Sequence, residues 1–320
     1  MRHQPNRNYV SEDRVMTPPG LARAIIEHFK PSGRMLEPCR GAGAFLKAMK
    51  GADWCEIERG RNFFDYKKNV DWIVTNPPWS LLRAFLKKAM EVSDNVVFLC
   101  TVNHFWTKAR VADIKEAGFY TAEIALIDPY PNPEFPASGF QLGAIHLKRG
   151  RTTKAKLSKI IWRSLPDTRR TIEVEAYTGE KDEDEVSLNK PLIQGVMRVF
   201  APKGRVATAV TGKGAFRKLM LDKGKKDWIV ACPPWSKIRV FLQKSMSSAK
   251  NVVILCTVNH LWTRARVRDI EDAGFIVAEI MSISPYPKTT FPPCGFQFGA
   301  IRLARGKMPN SVKLSRLEWE

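Results

Sequence analysis

The residues best placed to do chemistry are Asn76-Pro77-Pro78-Trp79. An amide, a backbone carbonyl and an indole face follow one another there. Each proline fixes its own φ and pushes the residue before it out of the helical region. The turn can therefore hold two acceptors and an aromatic surface in one arrangement, which an exocyclic amine on a flat ring requires. A second constellation lies upstream: Glu37-Pro38-Cys39-Arg40-Gly41-Ala42-Gly43-Ala44-Phe45. Glycines let a backbone approach a ligand closely, and an acid at a strand end suits a cationic, amine-bearing ligand. The loop lacks the third Gly of a dinucleotide fingerprint and the Gly-Lys-Ser/Thr of a phosphate loop.

These groups need elements to position them. Asp71-Trp72-Ile73-Val74 reads as a buried strand ahead of Asn76. Ser80 is a helix-capping type, and Leu81, Leu82, Phe85, Leu86, Ala89 and Met90 recur at helical period. Asn76 is thus expected at the carboxyl end of a strand, where open α/β sheets bind ligands. Met35-Leu36-Glu37 reads as a strand running through the Gly loop into a helix from about Ala44. Trp54 to Glu58 reads as the next strand. An acid about 20 residues beyond a Gly loop commonly takes ribose hydroxyls, which nominates Glu56, with Glu58 behind it. Thr17-Pro18-Pro19 opens a helix carrying Leu21, Ile25, Ile26 and Phe29. Later strands are expected at 95–100, 122–127 and 140–147, the last of the half. A helix at 109–117 should stop at Gly118.

The chain repeats itself. Residues 71–150 align with 227–306 without a gap, with 50 of 80 positions identical. Upstream, Gly33-Arg34 and Gly41 to Phe45 correspond to Gly204-Arg205 and Gly212 to Phe216. The offset there is 171 rather than 156, so the second copy has lost 15 residues between its Gly loop and its Pro-Pro turn. The expected domains are 1–165 and 166–320, with the charged run 180–185 near the boundary. The net charge is +20, and each half carries 26 Lys+Arg against 16 Asp+Glu. Even basicity points to a polyanion, nucleic acid before an anionic membrane surface. No apolar run approaches a membrane span, and the N-terminus lacks the apolar core of a signal peptide. Six Cys without a C-x-x-C pair argue against zinc and against a disulfide framework, and suit a reducing cytoplasm.

Asn-Pro-Pro-Trp after a strand, with Glu-Pro-x-x-Gly-x-Gly-x-Phe upstream, resembles the S-adenosylmethionine-dependent N6-adenine methyltransferase family. The resemblance implies α/β architecture: two tandem Rossmann-like, doubly wound methyltransferase domains, arranged as a pseudo-dimer within one monomeric chain. It implies that Asn76 and the Pro77 carbonyl accept from the adenine amine, with Pro78 shaping the turn and Trp79 stacking on a flipped base. It implies S-adenosylmethionine as cofactor, held by Thr17, Pro18, Glu37, Gly41, Gly43, Phe45, Glu56, Asn62 and Phe63, and it implies no metal. The family usually has Asp-Phe where Asn62-Phe63 stands, so Asp65 competes with Asn62 for the cofactor's adenine. Phe63 competes with plain core packing.

The second copy has Cys232 for Asn76, Thr208-Ala209 for Glu37-Pro38, and Asn189-Lys190 for the Thr-Pro element. The deletion removes the region of Glu56 and Asn62. It therefore reads as an inert methyltransferase-like domain that helps bind nucleic acid. Pro233-Pro234-Trp235 and Thr257 to His260 are kept, which removes His104 as a general base. The loops 130–141 and 286–297, with Trp106 and Trp262, are expected at the contact between copies. Arg264, Arg266 and Arg268 are expected to face the entering strand. DNA is the preferred substrate. RNA adenine methylation, protein glutamine methylation and nucleic-acid binding without catalysis are the alternatives.

Overall fold

Continuous apolar runs bounded by polar turns build the centre of each half. Val96 to Cys100 and Val252 to Cys256 are buried on both faces, as parallel strands covered on two sides must be. The computed structural model describes residues 13–131, 135, 138–163, 188, 190–209, 215–284 and 294–318. The 180–185 run and most of the loop 286–297 lie outside the described residues.

In the first half the strands are β1 (Met35–Glu37), β2 (Asp53–Trp54), β3 (Val70–Thr75), β4 (Ser93–Thr101), β5 (Phe119–Asp128), β6 (Leu142–Arg149) and β7 (Lys154–Ile161). The second half supplies β8 (Val206–Ala209), β9 (Lys226–Ala231), β10 (Ala249–Thr257), β11 (Phe275–Ser284), β12 (Phe298–Arg305) and β13 (Asn310–Glu318). The helices are α1 (Pro19–Phe29), α2 (Ala44–Ala48), α3 (Leu82–Val92), α4 (Lys108–Glu116), α5 (Lys190–Phe200), α6 (Ala215–Leu221), α7 (Ile238–Ser248) and α8 (Arg264–Asp272). Helices α4 and α8 end as expected, with Gly118 and Gly274 at φ 73° and 71°.

Among the described residues these strands form one 13-stranded sheet, ordered β2-β1-β3-β4-β6-β5-β7-β13-β11-β12-β10-β9-β8. Read from each edge inward the two halves match, except that the second lacks a partner for β2. Only 222–225 separate α6 from β9, so the 15-residue deletion has removed that strand. Within each half the strands are parallel apart from β6 and β12, which run against both neighbours. One apolar cluster runs across both halves on one face of the sheet. The other face carries a separate cluster in each half, under α1 and under α5.

The strands at the join were not expected. β7 carries three Lys and a Ser, β13 mixes Asn, Ser, Lys, Arg and Glu with Val and Leu, and strict alternation does not persist along either strand. They pair antiparallel through Asn310↔Leu157 to Lys313↔Lys154, with Leu314 N–H donating to Thr153 C=O at 2.6 Å. The expected strand 54–58 is also shorter. Only Asp53–Trp54 pairs with β1, after which Glu56 bridges Arg61 around a 3₁₀ turn at Ile57–Arg59.

Off the sheet the contacts between halves come in reciprocal pairs. Gln141 N–H donates to Trp262 C=O at 2.8 Å, and Gln297 N–H to Trp106 C=O at 2.7 Å. Arg264 N–H donates to Gly139 C=O and Lys108 N–H to Gly295 C=O, both at 2.9 Å. The described ends of the two loops thus meet the other half's Trp turn, as expected for 130–141 and 286–297. An ion cluster breaks the symmetry. Lys159 Nζ lies 2.6 Å from Glu271 and 3.4 Å from Asp128, whereas Lys115 and Ser284 occupy the positions equivalent to those two acids. Lys159→Glu should therefore destabilise the chain by roughly 1–3 kcal/mol, because it places three acids together in a half-buried join. Urea unfolding should show this as a lower midpoint, with partial recovery in Lys159→Glu/Glu271→Lys.

Candidate active site

Parallel pairing of β1 with β3, Leu36 opposite Ile73, sets Glu37 beside the end of β3. Glu37 is almost fully buried. Its Oε1 accepts from Thr75 Oγ1 at 2.5 Å and from Cys39 N–H at 3.0 Å. Burial pushes its carboxyl up to about 8, against the pull of those two hydrogen bonds. Glu56 is held differently. Its Oε2 accepts from Gly41 N–H at 2.7 Å, which pins the Gly loop to the end of β2. Gly41 and Gly43 both take positive φ, 46° and 82°, which explains their residue type. Phe45 is buried under α1, beside Leu21 and Ile25.

Asn76 follows Thr75 directly. Its Nδ2 donates to Val15 C=O at 3.0 Å. Among the described residues its Oδ1 is shielded from water and has no hydrogen-bond partner, a state that costs about 1–3 kcal/mol unless a ligand N–H meets it. Pro77 is buried, and Pro78 is partly so. Trp79 donates Nε1–H to Leu99 C=O at 3.3 Å, and its ring lies tilted against His104 and Phe135 at 5.7 and 6.3 Å. Burial pushes His104 down to about 4, so it is neutral at ordinary pH.

A segment from Asp13 to Thr17 crosses these groups. The Asp13 carboxylate accepts from Ser80 N–H and hydroxyl. Val15 meets Asn76, and Met16 Sδ lies 3.0 Å from where a Cβ on Gly41 would stand. Thr17 is buried and Pro18 is partly so, just before α1.

The structure thus brings Asn76, Trp79, Glu37, Gly41 and Thr17 into one neighbourhood. It places others elsewhere. Phe63 is buried and stacks on Phe85 at 5.4 Å, inside the shared core cluster, so core packing describes it. Asn62 Oδ1 accepts from Phe64 N–H and caps a 3₁₀ turn, which occupies the oxygen offered to an adenine amine. Glu58 is exposed and pairs with Arg14. Arg266 does not face an entering strand: it is largely buried and donates Nη1–H to its own half's His260 C=O, as Arg110 does to His104 C=O. Arg264 caps the join and lies over Tyr130 at 4.5 Å.

Two participants escaped sequence reasoning, Thr75 and Val15. Thr75 had a signal: its equivalent is Ala231 in the half that has Thr208 for Glu37. Val15 acts through its carbonyl, which side-chain identity does not reveal.

No family model matches the chain, and no curated protein matches it. Several solved structures show loose likeness. A protein from Pyrococcus horikoshii assigned as an RNA methyltransferase aligns at 15% identity over 41% of this chain and 80% of its own, with a TM-score of 0.31. A Listeria monocytogenes protein assigned as a class I S-adenosylmethionine-dependent methyltransferase aligns at 12% identity over 48% and 68%, TM-score 0.36. The M protein of the type I restriction enzyme EcoKI aligns at 11% over 46% and 48%, TM-score 0.34. Likeness at this level defines neither the fold nor the activity of this chain. Among the described residues no helix is long and apolar enough to cross a membrane.

Glu37 provides a test that needs no ligand. Its carboxyl holds its proton to about pH 8 when folded, against an ordinary value of 4.5. The stability it contributes is therefore full below about pH 4.5 and is lost as pH rises towards about 8. Gln cannot ionise and can accept from the same two donors. The stability of Glu37→Gln relative to the native chain should rise from about pH 5 to about pH 8 and then level off, as read from urea midpoints across that range.

Proposed function

We propose that the chain transfers a methyl group from S-adenosylmethionine to the N6 amine of adenine in DNA. The observation that carries the reading is Asn76 Oδ1, a buried acceptor with no donor among the described residues, at the end of β3. The amine lone pair of adenine is delocalised into the ring. Acceptors on its N–H groups draw that pair out, and a fixed position aligns the nitrogen with the methyl donor. Asn76 Oδ1 and the Pro77 carbonyl serve as acceptors, and Trp79 as the stacking face. The base reaches them only flipped or single-stranded.

When bound, S-adenosylmethionine supplies a methyl sulfonium from which the amine takes its methyl group. The residues present fit that ligand. Glu37 is a buried acid without a cation and suits an ammonium. Gly41 and Gly43 permit close approach, and Thr17 closes one side. Glu56 suits ribose hydroxyls once its bond to Gly41 is shared. Asn62 is the weaker part of the set because its oxygen is already engaged.

The second half is proposed as an inert copy. It has Cys232, buried with its thiol pushed well above the ordinary value, where Asn76 should accept, and it has no strand equivalent to β2. On this reading the two halves form a pseudo-dimer, and the +20 chain binds a polyanion across both. Asn76→Ala should lower methyl transfer by roughly 100-fold or more while cofactor affinity changes little, and Cys232→Ala should leave both unchanged. Radiolabel transfer to duplex DNA, single-stranded DNA and RNA, followed by nucleoside analysis, tests donor, position and polymer together. N6-methyladenine arising only in RNA would move the reading to RNA. Full loss of transfer in a folded Cys232→Ala chain would overturn the assignment of the halves.

A further inference from the structure

Arg40 has no role in the account so far, yet it sits inside the Gly loop between Glu37 and Gly43. Its backbone is fixed at both ends: Arg40 N–H donates to Cys55 C=O, and Gly43 N–H to Arg40 C=O. Its guanidinium lies 5.0 Å from the Trp54 ring centroid, and a Cβ on Gly43 would stand 3.9 Å from Nε and Nη2. Among the described residues the Nε and Nη1 atoms are shielded from water and have no hydrogen-bond partner. Arg61 stacks on the same indole at 4.0 Å, but its charge is answered by Asp53 at 2.6 Å.

A guanidinium with two buried donors and no acceptor is costly to keep. Three residues away, Glu37 is a buried acid whose hydrogen bonds come only from neutral groups, Thr75 Oγ1 and Cys39 N–H. One loop thus holds a cation lacking an acceptor and an acid lacking a cation, and they do not satisfy each other. A ligand with an ammonium and a carboxylate on one carbon satisfies both at once. The second copy replaces both together, with Thr208 for Glu37 and Thr211 for Arg40.

We propose that Arg40 binds the carboxylate of the amino-acid group of S-adenosylmethionine through Nε and Nη1, while Glu37 takes the ammonium, so that the loop recognises the zwitterion. This rests on the cofactor reading above. Arg suits the task because its planar fork matches a carboxylate. Its effect is on binding and orientation, and no bond to the carboxylate is made or broken.

Calorimetry on the full chain separates the possibilities with two ligands: S-adenosylhomocysteine and its decarboxylated analogue, which keeps the ammonium. The native chain should bind the first more tightly by roughly 10- to 100-fold, the worth of one or two charge-assisted hydrogen bonds. Arg40→Gln should remove that difference, weakening S-adenosylhomocysteine and leaving the analogue unchanged, and Arg40→Lys should keep part of it. Equal affinity of the native chain for both ligands would overturn the proposal without any variant. So would an Arg40→Gln chain that weakens both ligands alike, or that weakens only DNA. If the native chain binds neither ligand, the cofactor reading itself fails and this inference falls with it.

Discussion

The hydrogen bond from Thr75 Oγ1 to Glu37 Oε1 joins the two parts of the site. Glu37 begins the Gly loop, and Thr75 is the last residue before Asn76. Neighbouring strands fix both backbones, and this bond then fixes the side chains between them. A buried carboxyl in so apolar a setting stays neutral unless a cation arrives. The site is therefore poised: without a ligand, Thr75 and Cys39 satisfy the acid, and with a cation it can ionise. The segment Asp13 to Thr17 closes the same space from outside, tied to Ser80 at one end and to α1 at the other. In the second half Ala231 and Thr208 stand in place of this pair. A hydroxyl without the carboxyl has nothing to orient, so losing one removes the reason for the other.

The join between halves rests on backbone pairing rather than on side-chain identity. β7 with β13 makes one long sheet, and the two Trp turns trade hydrogen bonds with Gly139–Gln141 and Gly295–Gln297. Backbone pairs tolerate substitution, but they need the loops to keep their length and shape. Residues 101–110 and 257–266 nonetheless remain alike at eight of ten positions, and several of their side chains are buried in the core around the join. His104, Arg110 and their equivalents are held by the geometry of the join and its core. Their neutral or buried state, His104 and His260 both pushed down to about 4, fits packing rather than proton transfer.

The repeat and the Pro-Pro turn were legible because both are local: spacing, proline geometry and strand period carry them. Helix α1 followed from Pro19 in its first turn, α4 from Gly118 after its last, and α3 from its apolar period. Ser80 does not cap α3, which starts after Leu81, and Ser80 instead donates to Asp13. The sheet's continuity was not legible. β7 sets Lys154, Lys156 and Lys159 among Ala, Leu, Ser and Ile, and β13 mixes Asn, Ser, Lys, Arg and Glu with Val and Leu, so each composition resembles that of a solvated loop. The strand at 54–58 was overread, because Glu56 must turn back to meet Gly41 and so leaves the pleat early. Phe63 illustrates a general ambiguity. A ring beside a ligand and a ring in a core have the same residue type, and Phe63 is found stacked on Phe85 in the core cluster.

The two copies also act as an internal control on the site. Residues shared by both halves answer to packing or to the join. Residues found only in the first answer to something the second does not do. Glu37, Arg40, Thr75 and Asn76 fall in the second group and lie on β1, β3 and the turns that follow them, while Glu56 belongs to the deleted strand region. Changes at these scattered places follow no single element of secondary structure. What they share is one volume bounded by the Gly loop, the Pro-Pro turn and the Asp13–Thr17 segment. Two of them, Arg40 and Asn76, also have buried polar atoms without partners. Such atoms also occur at residues shared by both halves, such as Asn103 and Asn259 or Arg110 and Arg266; what sets Arg40 and Asn76 apart is that the second copy keeps neither residue, with Thr211 and Cys232 in their places.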